Sequence, residues 1–145
     1  MSETAATVTP RTCSIARTLE LVGERWALLA LREVFLGVRR FDAIQRNTGA
    51  PRDVLSARLH KLLAVGLLER RQYQERPARF EYRLTEAGRD LLPVLLTLMD
   101  WGDKHLANGE PPLVYRHRCG DDFRPVVVCE TCGEPVTRRD LTIPS

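Results

Sequence analysis

The chain has 145 residues and a formal net charge of +3, with 43% hydrophobic and 28% charged residues. This length fits one globular domain with a small appendage, and it is long enough for a real core. No apolar run reaches the length of a membrane span, and the N-terminal MSETAATVTP lacks the basic start and apolar centre of a signal peptide. We therefore expect a cytoplasmic protein whose four cysteines are reduced unless they serve a function.

The first third of the chain predicts a tail followed by two helices. Residues 1–12 are small and polar and predict a disordered tail. Residues 13–22 place Ile15 and Leu19 on one apolar side of a short first helix. After a break at GERW, the apolar run WALLALREVF predicts a second helix, which Gly37 ends.

The next segment predicts a helix-turn-helix. Residues 42–47 form its first helix, Thr48-Gly49 supplies the turn, and Pro51 suits the first turn of the following helix. That second helix has one apolar face and an opposite face of small and polar residues. The apolar face, at i, i+4 and i+7, consists of Leu55, Leu59 and Leu62. The opposite face consists of Asp53, Ala57, His60, Lys61 and Ala64.

A basic hairpin follows the second helix. Gly66 ends the helix, and LLERRQY and FEYRLT alternate as two strands that flank Pro77. Helix, tight turn, helix and wing together present a narrow helix to a DNA major groove and a basic loop to the neighbouring phosphates. The predicted fold class is mainly α with a small β-wing (α+β), a winged helix-turn-helix that dimerises through its terminal helices.

The charge distribution agrees with this interpretation. Residues 39–89 hold twelve Lys and Arg against six Asp and Glu, a net charge of +6. The remaining residues hold ten basic against thirteen acidic side chains, a net charge of −3. The basic excess therefore lies on the predicted reading element, as neutralisation of phosphates requires.

Individual side chains in this segment have predicted roles at DNA. Arg52 suits the O6 and N7 edge of guanine or a phosphate, Asp53 suits cytosine N4, and Arg58 either bonds to a phosphate or braces the fold. Arg39 and Arg40 precede a helix N-terminus, and Arg76 and Arg79 bracket the wing tip; we expect them to position the protein on phosphates or in a minor groove. The predicted DNA-contacting residues are Arg39, Arg40, Arg52, Asp53, Ser56, Ala57, Arg58, His60, Lys61, Arg76 and Arg79.

After the wing, Thr85 is the predicted N-cap of a long helix, EAGRDLLPVLLTLMDWGDKHLA, which Pro93 should kink. This helix is apolar over more of its circumference than a small core needs, which predicts a homodimer with the first helix as companion. The alternative is a helix buried within its own chain. The predicted interface residues are Ile15, Leu19, Leu95, Leu98 and Trp101.

Residues 13–107 thus form the predicted DNA-binding and dimerisation domain, 108–115 a linker, and 116–145 a C-terminal extension. The extension contains His117 and Cys119, then Cys129 and Cys132. Three thiols and an imidazole supply four tetrahedral ligands, so a structural zinc in a hairpin or zinc-ribbon-like unit is predicted, with RPVVVC as a strand. A metal-free hairpin with reduced cysteines is the alternative.

Several of these pieces together resemble the HxlR family of bacterial winged helix-turn-helix regulators. The matching residues are Cys13, LVGERWALLALREV, Gly37 with RRF, LSARLHKL, GLLERR, EYRLTEAGRDLLP and the WG at 101–102. The resemblance covers residues 13–105 and implies dimeric transcription factors that bind inverted-repeat operators as repressors or activators. It also implies that a cysteine at the position of Cys13, near a helix N-terminus and two arginines, is a sensor of redox state or electrophiles, the alternative being simple packing.

The sequence therefore predicts a sequence-specific transcriptional regulator that binds a pseudo-palindromic operator as a homodimer. We expect it to act as a repressor. No enzyme is expected, because the three histidines lie in three different elements without a nucleophile or paired carboxylate at catalytic spacing. Two alternatives stay open. One is a winged-helix and zinc-ribbon module that docks on the transcription machinery; the other is a redox- or metal-responsive switch that uses Cys13 or the C-terminal cysteines.

Overall fold

A computed structural model describes residues 10–106 and 108–145 of the chain. Most of the predicted N-terminal tail, residues 1–9, lies outside the described residues. The chain divides into two compact units, the first ending at Asp90 and the second beginning at Leu91. The domain boundary predicted at residues 107–108 lies further along the chain and stays a prediction.

The elements follow the predicted order. The helices are α1 Ser14–Val22, α2 Arg25–Phe35, α3 Phe41–Thr48, α4 Arg52–Ala64, α5 Glu86–Arg89 and α6 Leu92–His105. The strands are β1 Leu68–Glu75 and β2 Ala78–Leu84, and a 3₁₀ turn spans Arg138–Asp140. Four helices come first, then the two-stranded wing, then two further helices. This order confirms the predicted α+β winged helix-turn-helix class.

Helix α2 lies at the centre of the first unit and packs against α1, α3, α4 and β2. Its buried apolar residues recur at helical spacing, and the apolar stripe of α4 packs toward them. Five large side chains in this unit are almost completely buried: Leu31, Ile44, Leu55, Leu59 and Leu62. The apolar face predicted for the second helix of the helix-turn-helix, which is α4, is therefore confirmed as part of the core. Burial of each leucine side chain contributes about 1.5–3 kcal/mol relative to exposure.

The wing is an antiparallel hairpin whose base is fastened to the rest of the first unit. Leu68 pairs with Leu84 and Glu75 with Ala78, with an irregularity at Tyr73. At the base, the Thr85 hydroxyl donates to the Gly66 carbonyl over 2.6 Å, and the Thr85 amide donates to the Leu67 carbonyl over 3.2 Å. The direction of the hairpin is therefore fixed relative to the end of α4.

The single kinked helix predicted after the wing is wrong, because two helices are present. Thr85 is the N-cap as predicted, and its hydroxyl accepts a hydrogen bond from the Gly88 amide over 3.1 Å. Helix α5 ends at Arg89, however, and Pro93 lies in the first turn of α6. A proline removes one amide donor and its ring collides with the carbonyl four residues earlier, so a separate helix that begins near Pro93 replaces a continuous one.

Beyond α6, the second unit contains short bridged turns rather than a regular strand. Isolated bridges pair Arg116 with Asp122 and Val128 with Pro135. The strand predicted for RPVVVC is therefore wrong, since only Val128 of that segment forms a bridge. Beside this bridge, the Val136 amide donates to the Val127 carbonyl over 3.1 Å and the Cys129 amide donates to the Glu134 carbonyl over 2.9 Å, so the pairing is limited to residues 127–129 and 134–136.

Candidate nucleic-acid interface

The turn between α3 and α4 sets how the second helix leaves the first. Gly49 caps α3 in the left-handed conformation, with φ of 74°, which glycine adopts without steric cost. The Gln45 side-chain amide donates to the Ala50 carbonyl over 3.0 Å, and the Thr48 hydroxyl accepts from the Ala50 amide over 3.3 Å. These bonds satisfy the backbone of the turn and fix the angle between the two helices.

A buried carboxylate fastens α3 to the central helix. Glu33 of α2 is only 4% exposed. One of its oxygens lies 2.9 Å from the Arg32 guanidinium, and the other accepts a hydrogen bond from the Asn47 side-chain amide over 2.9 Å. The sequence analysis missed this residue. The sequence does indicate that Glu33 is buried, since position 33 lies three residues after Ala30 and therefore on the same side of the helix.

Helix α4 presents one polar side to solvent because its leucines occupy the other. Ser56 is half-buried, and the remaining predicted contact residues on this side are exposed: Arg52, Asp53, Ala57, His60 and Lys61. The alanine at position 57 leaves room for close approach of a base edge or sugar. This side of α4 is therefore exposed, polar and small, as the sequence predicts and as insertion into a major groove requires.

Two basic residues of α4 have partners within the first unit. The Arg58 Nε lies 3.0 Å from a Glu24 carboxylate oxygen, and the same oxygen accepts from the amides of Trp26 and Ala27 at the start of α2. The Lys61 ammonium donates to the Glu20 backbone carbonyl near the end of α1. Arg58 and Lys61 thus brace α4 against α1 and α2, which for Arg58 is one of the two predicted roles.

Arg52 and His60 keep polar atoms directed outward. Arg52 bonds to Asp42 over 3.0 Å and lies over the Phe41 ring at 4.9 Å. Both members of this ion pair are well exposed, and such pairs are worth little, so Arg52 can exchange Asp42 for a base edge or phosphate at small cost. The His60 Nδ1 lies 2.9 Å from the Ser56 carbonyl, an arrangement that orients the ring and leaves Nε2 for an external partner.

The wing carries a second group of basic side chains. Arg76 and Arg79 are exposed at its tip, and neither forms a salt bridge with another residue in the described part of the chain. Arg71 on the strand pairs with Glu69 at 3.5 Å, and Arg70 lies over the Phe80 ring at 4.1 Å. Arg76 and Arg79 therefore have neither a carboxylate nor an aromatic partner in the described part of the chain, and they lie at the tip, where the sequence predicted phosphate or minor-groove contact.

The segment before α3 joins the wing to the helix-turn-helix. The Arg39 carbonyl accepts from the Tyr82 amide of β2 over 2.7 Å, and the Arg40 guanidinium lies over the Tyr73 ring at 4.4 Å. Arg40 is the N-cap of α3 but makes no side-chain capping bond, so the amides of that first turn are available to a phosphate. Burial raises the pKa of the Tyr82 hydroxyl, with the charge of Arg70 opposing the effect, so the phenol stays neutral.

The four predicted zinc ligands lie in two turns of the second unit. In the first turn, the His117 Nδ1 accepts from the Cys119 amide over 3.2 Å. In the second, hydrogen bonds from the backbone amides of Cys132 and Thr131 lower the pKa of the Cys129 thiol. Within residues 10–106 and 108–145, no group of three or more His, Cys, Asp and Glu side chains is placed to hold a metal ion. Zinc binding therefore stays a prediction.

Cys13 occupies the position that the sequence analysis gave it. It is exposed and is the N-cap of α1, where its sulfur accepts a hydrogen bond from the Ala16 amide over 3.3 Å. The sulfur thus replaces the hydroxyl or carboxylate oxygen that usually fills this role.

An exposed helix beside a basic wing tip, both held by a buried scaffold, defines a winged-helix DNA-binding protein. Residues 21–110 match the HxlR-like helix-turn-helix family, and the chain belongs to that family. It is a DNA-binding transcriptional regulator of the helix-turn-helix type, as the sequence predicted. The family match ends before the C-terminal extension.

Known proteins extend the likeness to most of the chain. An HTH-type transcriptional regulator of Mycobacterium tuberculosis is 53% identical over 131 residues, which cover 89% of this chain and 83% of the relative. The structure of PA1607, a proposed transcription factor, has a TM-score of 0.81 and 31% identity, over 92% of this chain and 94% of that one. The reduced redox regulator HypR has a TM-score of 0.58 and 29% identity, over 63% of this chain and 92% of its own.

Within the described part of the chain, every helix is too short or too polar to cross a membrane.

We expect Asn47→Ala to lower the free energy of unfolding by about 1–3 kcal/mol, because it leaves an oxygen of the buried Glu33 without its donor. Urea denaturation of both proteins measures the change. Gln72→Ala is the control, since Gln72 is an exposed wing residue whose side chain bonds only to the Gln74 carbonyl. Equal stability of the Asn47 variant and the parent would contradict the proposed role of Glu33 in fixing α3.

Proposed function

We propose that this regulator binds a pseudo-palindromic operator as a homodimer and acts there as a repressor. Each α4 enters one major groove, and each wing tip contacts the flanking backbone or minor groove. The observation that carries the proposal is the division of basic residues in the first unit. Arg58 and Lys61 are bonded to Glu24 and to the Glu20 carbonyl within the first unit. Arg52 has only an exposed pair with Asp42, and Arg76 and Arg79 are exposed at the wing tip.

Base recognition is assigned to the exposed side of α4. Arg52 suits guanine, and Asp53 suits the amino group of cytosine; together they lie in the first turn of α4. Ser56, Ala57 and His60 extend the contact along the helix. Arg58 and Lys61 are placed as braces that hold this side at a fixed angle, so their contribution to binding is indirect.

Backbone contact is assigned to Arg39, Arg40, Arg76 and Arg79. The first two stand at the start of α3 and the last two at the wing tip, so they lie at separate points of the first unit. Contacts to phosphates at several points fix the register of a protein on DNA without reading sequence. This arrangement supports positioning by the arginines and discrimination by α4.

Homodimer formation is supported by exposed apolar side chains on the two terminal helices. On α1, Ile15 is 72% and Leu19 is 55% exposed. On α6, Leu98 is 52% and Trp101 is 57% exposed, while Leu95 is half-buried. Apolar surface on this scale favours burial against a second copy, and a two-fold dimer matches the symmetry of a palindromic operator.

We assign no enzymatic activity to the protein and place it in the cytoplasm with its DNA. Membership of a family of transcriptional regulators supports both assignments. The second candidate function is redox sensing at Cys13, supported by the exposure of its thiol at the start of α1 and by the likeness to HypR. Loss of oxidant-dependent DNA release in a Cys13→Ser variant tests that candidate, and unchanged release would exclude it.

Arg76→Ala should weaken binding to every DNA sequence and lower the slope of log K against log salt by about one unit, because one phosphate contact is lost. Titrations of specific and scrambled duplexes across a salt series measure both quantities. Arg71→Ala is the matched control, since Arg71 lies on the same hairpin but is paired with Glu69. A loss of sequence preference with an unchanged slope would contradict the assignment of Arg76 to phosphate.

Leu98→Asp should convert the dimer to a monomer, because a carboxylate cannot be buried in an apolar interface without a large desolvation cost. Sedimentation equilibrium or light scattering gives the mass in solution. Gln72→Asp, at an exposed position of strand β1, adds an acid on neither terminal helix and should leave the dimer intact. An unchanged mass for Leu98→Asp would contradict an interface on α6.

A further inference from the structure

Tyr73 is the extra residue of a β-bulge in the wing. Gln72 pairs with Phe80 and Gln74 pairs with Arg79, so β1 has one more residue than β2 at this point. A bulge bends its strand and turns the side chain of the extra residue in a new direction. The Tyr73 side chain is 37% exposed, and the sequence analysis gave it no role.

The Tyr73 ring lies under the guanidinium of Arg40, a residue far away in the chain. The guanidinium carbon is 4.4 Å from the ring centroid, within the range of a cation–π interaction. The backbone of the same segment is held at the other strand, where the Arg39 carbonyl accepts a hydrogen bond from the Tyr82 amide over 2.7 Å. The start of α3 is therefore attached to both strands of the wing, through the backbone at β2 and through the Arg40 side chain at β1.

The stacked Arg40 side chain can still bind a phosphate. Stacking uses the face of the planar guanidinium, whereas its N–H donors lie along the edge in a fork that suits two phosphate oxygens. Arg40 is exposed and forms no salt bridge in the described part of the chain. Because the ring already restricts the long side chain, Arg40 loses less conformational entropy when it binds a phosphate.

A second stacked pair on the same hairpin has a different connection. Arg70 lies over the Phe80 ring at 4.1 Å, but both residues belong to the wing strands. Arg40 is instead the N-cap of α3, so its contact with Tyr73 joins the wing to the helix-turn-helix. The contact therefore orients the wing relative to α3 as well as the arginine itself.

We propose that Tyr73 is a positioning residue for DNA binding, whose ring holds the Arg40 guanidinium with its edge toward a phosphate of the DNA backbone. Tyr73 acts through Arg40 and not through a contact of its own with DNA. The inference rests on the assignment of Arg40 to the DNA backbone under the proposed function. It adds an uncharged residue of the wing to those on which phosphate binding depends.

The test is a double-mutant cycle on the full-length protein, with a duplex of scrambled sequence as the probe because backbone contacts do not depend on sequence. Arg40→Ala should lower the slope of log K against log salt by about one unit. Tyr73→Ala should raise the Kd about two- to fivefold, which is an exposed cation–π energy expressed as a ratio of dissociation constants. In the Arg40→Ala background, Tyr73→Ala should change the Kd no further.

Two other substitutions of Tyr73 separate the aromatic ring from its hydroxyl and from its bulk. Tyr73→Phe keeps the aromatic face and should bind DNA as the parent does. Tyr73→Leu keeps apolar bulk without that face and should bind as weakly as Tyr73→Ala. Urea denaturation of each variant checks that the first unit is folded. Since Phe and Leu both fill the site, their comparison holds even if Tyr73→Ala folds poorly.

Several results would overturn the inference. Equal losses from Tyr73→Ala with and without Arg40 would show that the ring acts independently of Arg40. Binding by Tyr73→Leu that equals the parent would reduce Tyr73 to packing, and a loss in Tyr73→Phe would give the contact to the hydroxyl. These three results leave the assignment of Arg40 in place. An unchanged Kd and salt slope in Arg40→Ala alone would instead remove that assignment, and the inference with it.

Discussion

The orientation of α4 depends on burial of its leucine stripe against α2. Leu55, Leu59 and Leu62 are fully enclosed, so only the opposite side of the helix is available to a partner. A rotation of one residue about the helix axis would expose a leucine and bury a charge, each at a cost of several kcal/mol. The core therefore determines which side chains face DNA before any DNA contact is made.

Polar contacts around this core fix the orientation of α3 and α4 relative to α2. Glu33 fastens α3 through Asn47, and Glu24 caps α2 while it pairs with Arg58 of α4. Both acids connect the central helix to one arm of the helix-turn-helix. A buried or half-buried carboxylate with several donors holds its partners in one geometry, which is what recognition of base edges requires. At the wing tip, Arg76 and Arg79 are exposed and form no salt bridge with another residue in the described part of the chain.

The sequence was sufficient for the first four helices, the wing and the family because each rests on a local pattern. Apolar spacing identified α4, alternation identified the wing strands, and Thr85 was identified as a cap from its type and position. Partners far apart in the chain were not predictable in this way. Glu24 meets Arg58, and Lys61 meets the Glu20 carbonyl, only after the fold brings α1, α2 and α4 together. The partners of Arg58 and Lys61 within the fold are therefore not visible in the local sequence pattern.

Two predictions were wrong: the continuous kinked helix through Pro93 and the strand over RPVVVC. Pro93 was read as a kink, but a proline at that position starts a helix as readily as it bends one. The valines at 126–128 have high strand propensity, yet a strand also needs a partner segment, and here the pairing is limited to residues 127–129 and 134–136. Zinc binding stays a prediction, because it depends on the distance between two turns, which spacing in the sequence does not fix.

The central claim is that this regulator reads DNA sequence through α4. The most direct measurement compares binding of the purified protein to duplex from the region upstream of its own gene and to a scrambled duplex of equal length, across a salt series. Our account predicts a preference of about 10³-fold or more that persists as salt rises, because base contacts do not depend on counterion release. Equal and steeply salt-dependent binding to both duplexes would contradict it, and would leave a basic module that docks on the transcription machinery as the better account.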